Sequence, residues 1–411
     1  NFEPFPYNPE EIEAVFVTHA HIDHTGRIPN LYKQGFRGTI YSTPPTKDFA
    51  EQLLIDSEDI LRREAQEQGK APLYDTNDVT AVLQNWKKVG YHEQIKVNDF
   101  LIEFFDAGHI LGSSFIAVTT PEGKRVIFSG DLGNLPNPLL RDTEPIGKAD
   151  YVLVESTYGD RAHEPMEERT RIFEQTIKET IKKKGVLMIP AFAMERTQQL
   201  LFELNEMVEQ NRIPRVPVYI DSPLAIRLTA IYKKYSQDFD YFDSDAIKQI
   251  RNGDAIFDFP GLHVTLTSAQ SKAINDVPPP KIVIAGSGMS QGGRIVHHEA
   301  RYLPDPNSTI LFVGYQAAGS PGYAILQGAK EVTISGSKIP VRCTVKAIGG
   351  YSAHADQPRL LAWLGTAKPK PRKVFIVQGE EAKAAVLAAK IKNDLHWEAS
   401  VPSAGDTEFL E

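Results

Sequence analysis

The apolar residues of this chain are gathered into strand-length runs, such as 186–189 and 282–285, and these alternate with stretches of helical periodicity. A chain patterned in this way buries each run in a sheet and covers the sheet with helices, the α/β arrangement of parallel or mixed sheets. Strands are expected at 14–17, 39–42, 101–105, 115–118, 126–128, 151–154, 186–189, 218–220, 264–267, 282–285, 310–313, 341–346 and 374–377. Helices are expected at 47–67, 168–183, 196–209, 294–301 and 381–393. No run approaches the roughly 20 residues that cross a bilayer, so no membrane span is expected. With 411 residues the chain has room for two to three domains of about 150 residues each.

The texture changes along the chain. Before about residue 155 strands follow one another through hairpins, as at PEGK in 121–124, whereas from about 160 to 345 strand and helix alternate regularly. This predicts a domain over 1–159, a second α/β domain over 160–345, and a return to the first over 346–411. Lys and Arg number 45 against 53 Asp and Glu, a net charge of −8, which excludes a polycation that coats nucleic acid through charge alone. It leaves a metallonuclease open, because metal ions bring their own positive charge and need carboxylates to hold them. The single cysteine, Cys343, excludes an intrachain disulfide and a multi-cysteine zinc site. The opening NFEPFPYNPEE carries no secretory signal pattern, and a cytoplasmic location is expected.

The chemistry is concentrated in THAHIDHTGR, residues 18–27, directly behind the first expected strand. It supplies His19, His21, Asp23 and His24 within six positions, and imidazole with carboxylate is the donor set that Zn²⁺ or Mn²⁺ prefers. Three later segments repeat the placement of a polar residue just past an apolar strand: His109 in FFDAGHILGSS, Asp131 in VIFSGDLGN and Glu155 in VLVESTYGDR. Each alone is readily a hydrogen-bonded turn residue. Together they read as a metal centre at one edge of a sheet.

The series HAHIDH, a distant His and a distant Asp resembles the metallo-β-lactamase superfamily. ESTYGDR, PAFAMERTQ, DSP, AGSGM, GGYSAHAD and VQGEE further resemble its β-CASP ribonucleases. The resemblance covers essentially the whole chain. It implies an αββα sandwich with an inserted α/β β-CASP domain, and a family N-terminal segment that would precede residue 1. Carried over, it implies that His19, His21 and His109 hold one divalent ion, that Asp23 and His24 hold a second, and that Asp131 bridges both. Zn²⁺ is the expected ion, with Mn²⁺ as the alternative. Glu155 would orient His354, and His354 would protonate the departing 3′ oxygen. The implied substrate is single-stranded RNA, and a homodimer is expected by family analogy.

One position departs from the pattern. Where the family's RNA-acting branch has a histidine ligand for the second ion, this chain has Gln378. A neutral amide oxygen is a weaker ligand than an imidazole nitrogen. Three readings stay open: an introduced inactivating substitution, a working natural variant, or a catalytically silent RNA-binding scaffold.

In KIVIAGSGMSQGGRIVHHE a strand runs into a glycine-rich turn and then a helix, which reads either as a tight connection or as a phosphate site; the resemblance favours the second, so Ser287, Gly288, Met289 and Gly292 are candidate RNA-phosphate contacts. Arg196 is a candidate phosphate fork, with a domain-packing salt bridge as the other reading. His297 and His298 are assigned to the polar surface or to interdomain packing. No KH-like or zinc-finger module is present. The expected function is hydrolysis of RNA phosphodiesters, mainly endonucleolytic with some 5′→3′ exonuclease action. A small-molecule hydrolase of the same fold is disfavoured by the long insertion.

Overall fold

The computed structural model describes residues 3–134, 136–238, 240–251 and 255–411. The chain divides into two compact units, one formed by residues 1–162 with 354–411 and the other by 163–353.

The first unit is built on two sheets. One has seven strands in the spatial order Ala399–Ser400, Lys373–Ile376, Tyr151–Val154, Arg125–Phe128, Ser114–Thr119, Phe100–Asp106 and Ile95–Val97. The other has three parallel strands, Ala14–Phe16, Thr39–Ser42 and Trp86–Lys88. The two-residue period of a strand explains how the large sheet is covered on both sides. In Ser114–Thr119, Phe115 and Ala117 point into a core shared with Leu360, Trp363 and Leu364 of the helix Gln357–Leu364 and with Ala384 and Leu387 of the helix Glu381–Lys390. The alternate residues Ile116 and Val118 pack with Phe104 against Phe16 and Tyr41 of the small sheet. The long helix Pro44–Glu67, N-capped by the Thr43 side chain, runs from the small sheet. The result is an αββα sandwich.

The second unit has a six-stranded, wholly parallel sheet in the order Leu262–Val264, Val218–Ile220, Lys281–Ala285, Val186–Pro190, Thr309–Phe312 and Thr344–Ala347. Its central strands are buried at every residue, as parallel strands flanked by helices on both faces must be. Their sequences, VLMIP and, after the buried Lys281, IVIA, are accordingly continuous apolar runs rather than alternating ones.

Several elements differ from expectation. The strand expected at 264–267 is Leu262–Val264, because Thr267 forms a capping box with Gln270 and starts the helix Ser268–Ala273. The run 341–346 is broken: Ser337–Pro340 pairs in a hairpin with Glu331–Ile334, and a separate strand, Thr344–Ala347, joins the main sheet. A boundary at 345 would cut that strand. The last helix closes at Lys390 and passes into a wider turn over Ile391–Leu395. Among the described residues no helix is long and apolar enough to cross a membrane.

Candidate metal centre

The residues expected to bind metal lie at strand ends of the first unit. His19 and His21 follow Ala14–Phe16, and His24 sits on the single helical turn Ile22–Thr25. His109 follows Phe100–Asp106, Asp131 follows Arg125–Phe128, Glu155 follows Tyr151–Val154, and Gln378 follows Lys373–Ile376. The loops fit closely. Gly130 adopts φ +54°, and a Cβ there would lie 2.7 Å from Thr18, the neighbour of His19.

Four groups converge. His19 Nε2 is 3.1 Å and His109 Nε2 3.2 Å from His21 Nδ1, and Asp131 Oδ2 is 3.3 Å from His19 Nε2 and 3.6 Å from His109 Nε2. His19, His109 and Asp131 are buried and His21 is half-buried. Three imidazoles whose nitrogens approach so closely cannot all be protonated. Burial, reinforced by the neighbouring rings, holds His21 and His109 well below their ordinary pKa, and burial also lowers His19 against the pull of Asp131. Burial works against the charge on Asp131, but His19, His24 and His109 hold its carboxyl well below the usual range. Neutral imidazoles around an ionised carboxylate are a set of lone pairs aimed at one point, which suits a divalent cation.

A second set lies on the other side of Asp131. His24 Nε2 is 3.5 Å from Asp131 Oδ1 and 3.6 Å from Oδ2 of the exposed Asp23. Gln378, exposed at the rim with φ +48°, places its amide nitrogen 2.6 Å from Asp131 Oδ1 and 2.9 Å from His24 Nε2. A carboxylate oxygen accepts only, so the amide atom beside it is the N–H₂. The amide therefore presents donors to both groups where a cation would otherwise stand. The first donor set fits a divalent ion as it is; the second does so only if the amide turns away.

Next to these groups, His354 Nδ1 is 3.1 Å from Glu155 Oε2 and 3.8 Å from Asp131 Oδ2. Burial opposes charge on His354, but Glu155, then Asp131 and Asp23, outweigh it and raise the imidazole to about 9. Glu155 is fixed in turn, because its Oε1 accepts the Leu132 N–H at 2.6 Å, and the Leu132 carbonyl accepts the Ala355 N–H at 2.8 Å.

Family profiles match in three stretches: a Beta-lactamase superfamily domain over residues 1–183, a Beta-Casp domain over 197–325, and a Zn-dependent metallo-hydrolase RNA specificity domain over 338–402. A protein named ribonuclease TTHA0252 from Thermus thermophilus is 38% identical over 387 residues, which cover 94% of this chain and 86% of that protein. This chain is a β-CASP protein of the metallo-β-lactamase superfamily. Proteins named transcription termination factor FttA are similar to this β-CASP chain too. Those from Methanosarcina mazei and Pyrococcus horikoshii are each 32% identical, over 97% and 96% of the chain, which spans only 64% and 61% of their lengths. A crystal structure of a protein of unknown function from Enterococcus faecalis V583 superimposes with TM-score 0.53 at 13% identity, over 99% of this chain and 82% of that one, and shows the fold alone.

The candidate RNA-phosphate residues belong to the second unit. Ser287, Gly288, Met289 and Gly292 form a turn after Lys281–Ala285, closed by Ser287 N–H to the Gly292 carbonyl at 3.1 Å and Gln291 N–H to Ser287 Oγ at 3.1 Å. Arg196 is 6% exposed, with Nη1 3.1 Å from Gln199 Oε1 and its guanidinium carbon 5.7 Å from the centre of the Tyr351 ring. That ring also meets Arg169, and the Tyr351 hydroxyl donates to Glu203 at 2.6 Å. Arg196 is thus packed into the interior of its own unit.

The two neighbouring histidines part company. His297 is exposed, whereas His298 is buried with Nε2 2.8 Å from Asp221 Oδ2. Asp221, the Asp of DSP, also accepts from Ser271, Thr265 and Arg294 at 2.6–2.8 Å. Burial opposes its charge, yet His298 and the other donors hold its carboxyl well below the usual range. The assignment of His298 to a polar surface is corrected: it is one arm of a buried network anchoring the helix Ile295–Tyr302.

Proposed function

We propose that this β-CASP protein is a metal-dependent ribonuclease. It hydrolyses phosphodiesters of single-stranded RNA, mainly at internal bonds with some 5′→3′ trimming, and leaves 5′-phosphate and 3′-hydroxyl ends. The observation that carries the reading is the convergence of His19, His21, His109 and Asp131 beside the His354–Glu155 pair. The ribonuclease name of the Thermus relative supports RNA as the substrate class. His19, His21 and His109 would hold a first ion, Asp23 and His24 a second, with Asp131 shared between them; Zn²⁺ is the ion assigned and Mn²⁺ the alternative. When bound, such ions supply a water of lowered pKa and neutralise charge on the phosphodiester.

The protein's own residues do the rest. Ionised Asp131 holds the two histidine groups in register. Glu155 keeps His354 protonated and aimed, so that His354 can deliver a proton to the departing 3′ oxygen, a role generally worth about 10²–10⁴ in rate. The glycine turn is assigned a phosphate, because the N–H groups of Gly288 and Met289 take part in none of the hydrogen bonds of the described residues. Gln378 weakens the second metal position and, with it, catalysis. That same residue favours a second reading, a silent RNA-binding scaffold.

A denaturing-gel time course on 5′-labelled single-stranded RNA separates the readings, comparing the native chain with Gln378→His under saturating Zn²⁺ or Mn²⁺. Cleavage enhanced in the His form is the expected result. Binding without cleavage by either form would replace the nuclease with the scaffold.

A further inference from the structure

Phe192 is 42% exposed and stands just past the carboxyl end of the central strand Val186–Pro190. That strand lies between Lys281–Ala285 and Thr309–Phe312, so Phe192 emerges between the loops that follow both neighbours. The crevice beyond the carboxyl ends of a parallel sheet is where such sheets bind ligands. The ring lies close over the main chain of two glycines. A Cβ on Gly288 would come within 2.8 Å of Phe192 Cδ2, and one on Gly314 within 3.7 Å of Cε2. Only glycine at 288 lets the ring rest there.

Its backbone is pinned as well. The Phe192 carbonyl accepts the Thr197 hydroxyl at 2.8 Å, and the preceding Ala191 N–H donates to the Ala285 carbonyl at 3.0 Å. The outcome is an aromatic ring left partly open to solvent, against a glycine whose N–H, with that of Met289, is unused among the described residues. An exposed ring beside free main-chain donors pairs the two groups a nucleotide needs, a stacking surface for the base and an anion site for its phosphate.

We propose that Phe192 is a stacking shelf for one base of the bound strand, and that the Gly288–Met289 turn holds the adjacent phosphate. The assignment rests on the RNA reading above. Stacking accepts any base, so the shelf adds affinity and positions the strand without reading sequence.

The test is fluorescence anisotropy with the full chain and a short single-stranded RNA, in chelator so that the strand stays intact. A second RNA of equal length and charge has abasic sites in place of its bases. Phe192→Ala is expected to weaken binding of the normal strand by about 5- to 100-fold and to leave the abasic strand unchanged. Phe192→Trp should bind like the native chain, and Phe192→Leu, which keeps apolar bulk over Gly288, should lose affinity as the Ala form does. The slope of affinity against salt should be the same in all forms, because no phosphate contact is removed. Equal affinity of the native and Ala forms, or recovery by Leu, overturns the shelf; so does an equal loss on both strands, which would mark a packing effect. If the native chain binds neither strand, the RNA reading itself fails.

Discussion

Replacing Gln378 by histidine tests the metal centre most directly. The amide of Gln378 donates to Asp131 Oδ1 at 2.6 Å and to His24 Nε2 at 2.9 Å, and both bonds break before an ion can stand between those groups. A hydrogen bond to a charged group contributes about 1.5–3 kcal/mol and a neutral one about 0.5–1.5 kcal/mol. Because Gln378 is exposed, the low ends apply, together about 2 kcal/mol, or roughly a 30-fold handicap on the second ion. The missing imidazole ligand adds to that handicap, so 30-fold is a floor. The backbone accommodates the change, since φ of +48° is a conformation that histidine adopts more readily than most side chains. The assay is metal content per chain after equilibrium dialysis against graded Zn²⁺ or Mn²⁺. The native chain should take one ion well before the second, and Gln378→His should bring the second midpoint down by about 30-fold or more. If both forms fill two positions at the same ion concentration, the amide does not compete with metal and the reasoning is refuted.

Further outcomes follow from the same geometry. With Glu155→Gln the main support for a protonated His354 disappears and burial dominates, so the alkaline limit of cleavage, expected near 9 in the native chain, should move down by more than a pH unit; an unmoved pH–rate limb would remove Glu155 from this role. Glu299, buried with Ser290 donating to it at 2.5 Å, is raised to about 7 by burial. Its folded form keeps a proton that the unfolded chain has released, so it costs stability progressively as pH rises from the ordinary carboxylate range toward 7. Glu299→Gln should therefore raise the melting temperature at pH 8, by at most about 3 kcal/mol of stability, and change it little at pH 4. Equal melting shifts at both pH values would deny the buried proton. Stripping divalent ions with a chelator should lower the melting temperature, because an ion at about 100 times its Kd adds about 2.7 kcal/mol; a melt indifferent to chelation and to His109→Ala would disperse the cluster.

The residues that gather in the candidate metal centre of the first unit were legible because each is announced locally. His109, Asp131 and Glu155 all come immediately after a readable apolar strand, and His19 to His24 are crowded into six positions. Networks whose members are far apart carry no such mark. His298 reads as one of two histidines on a helix surface, and nothing near it discloses Asp221, 77 positions earlier. Arg196 looks like a phosphate fork at a helix start, yet the ring it packs on belongs to Tyr351. The strand Trp86–Lys88 is three residues long with two exposed lysines, and it exists only because Thr39–Ser42 offers a parallel edge. Residues 264–267, rich in β-branched side chains, look extended until the capping of Thr267 by Gln270 is counted. Phe192 passes in sequence for one more core aromatic; its exposure depends on a glycine 96 positions away.

Leu132 shows how a candidate site can depend on a residue with no chemistry of its own. Its N–H is bound by Glu155, its carbonyl by the segment that begins at His354, and it directly follows Asp131. Three separate stretches of polypeptide are thus stitched at one residue. Truncating the Leu132 side chain to alanine would register only as lost core packing, and a survey of side chains would pass over the position. Such a stitch constrains backbone conformation and leaves the side chain free to drift among apolar types, so the residue that joins Glu155, the His354 segment and Asp131 carries no functional group that would mark it.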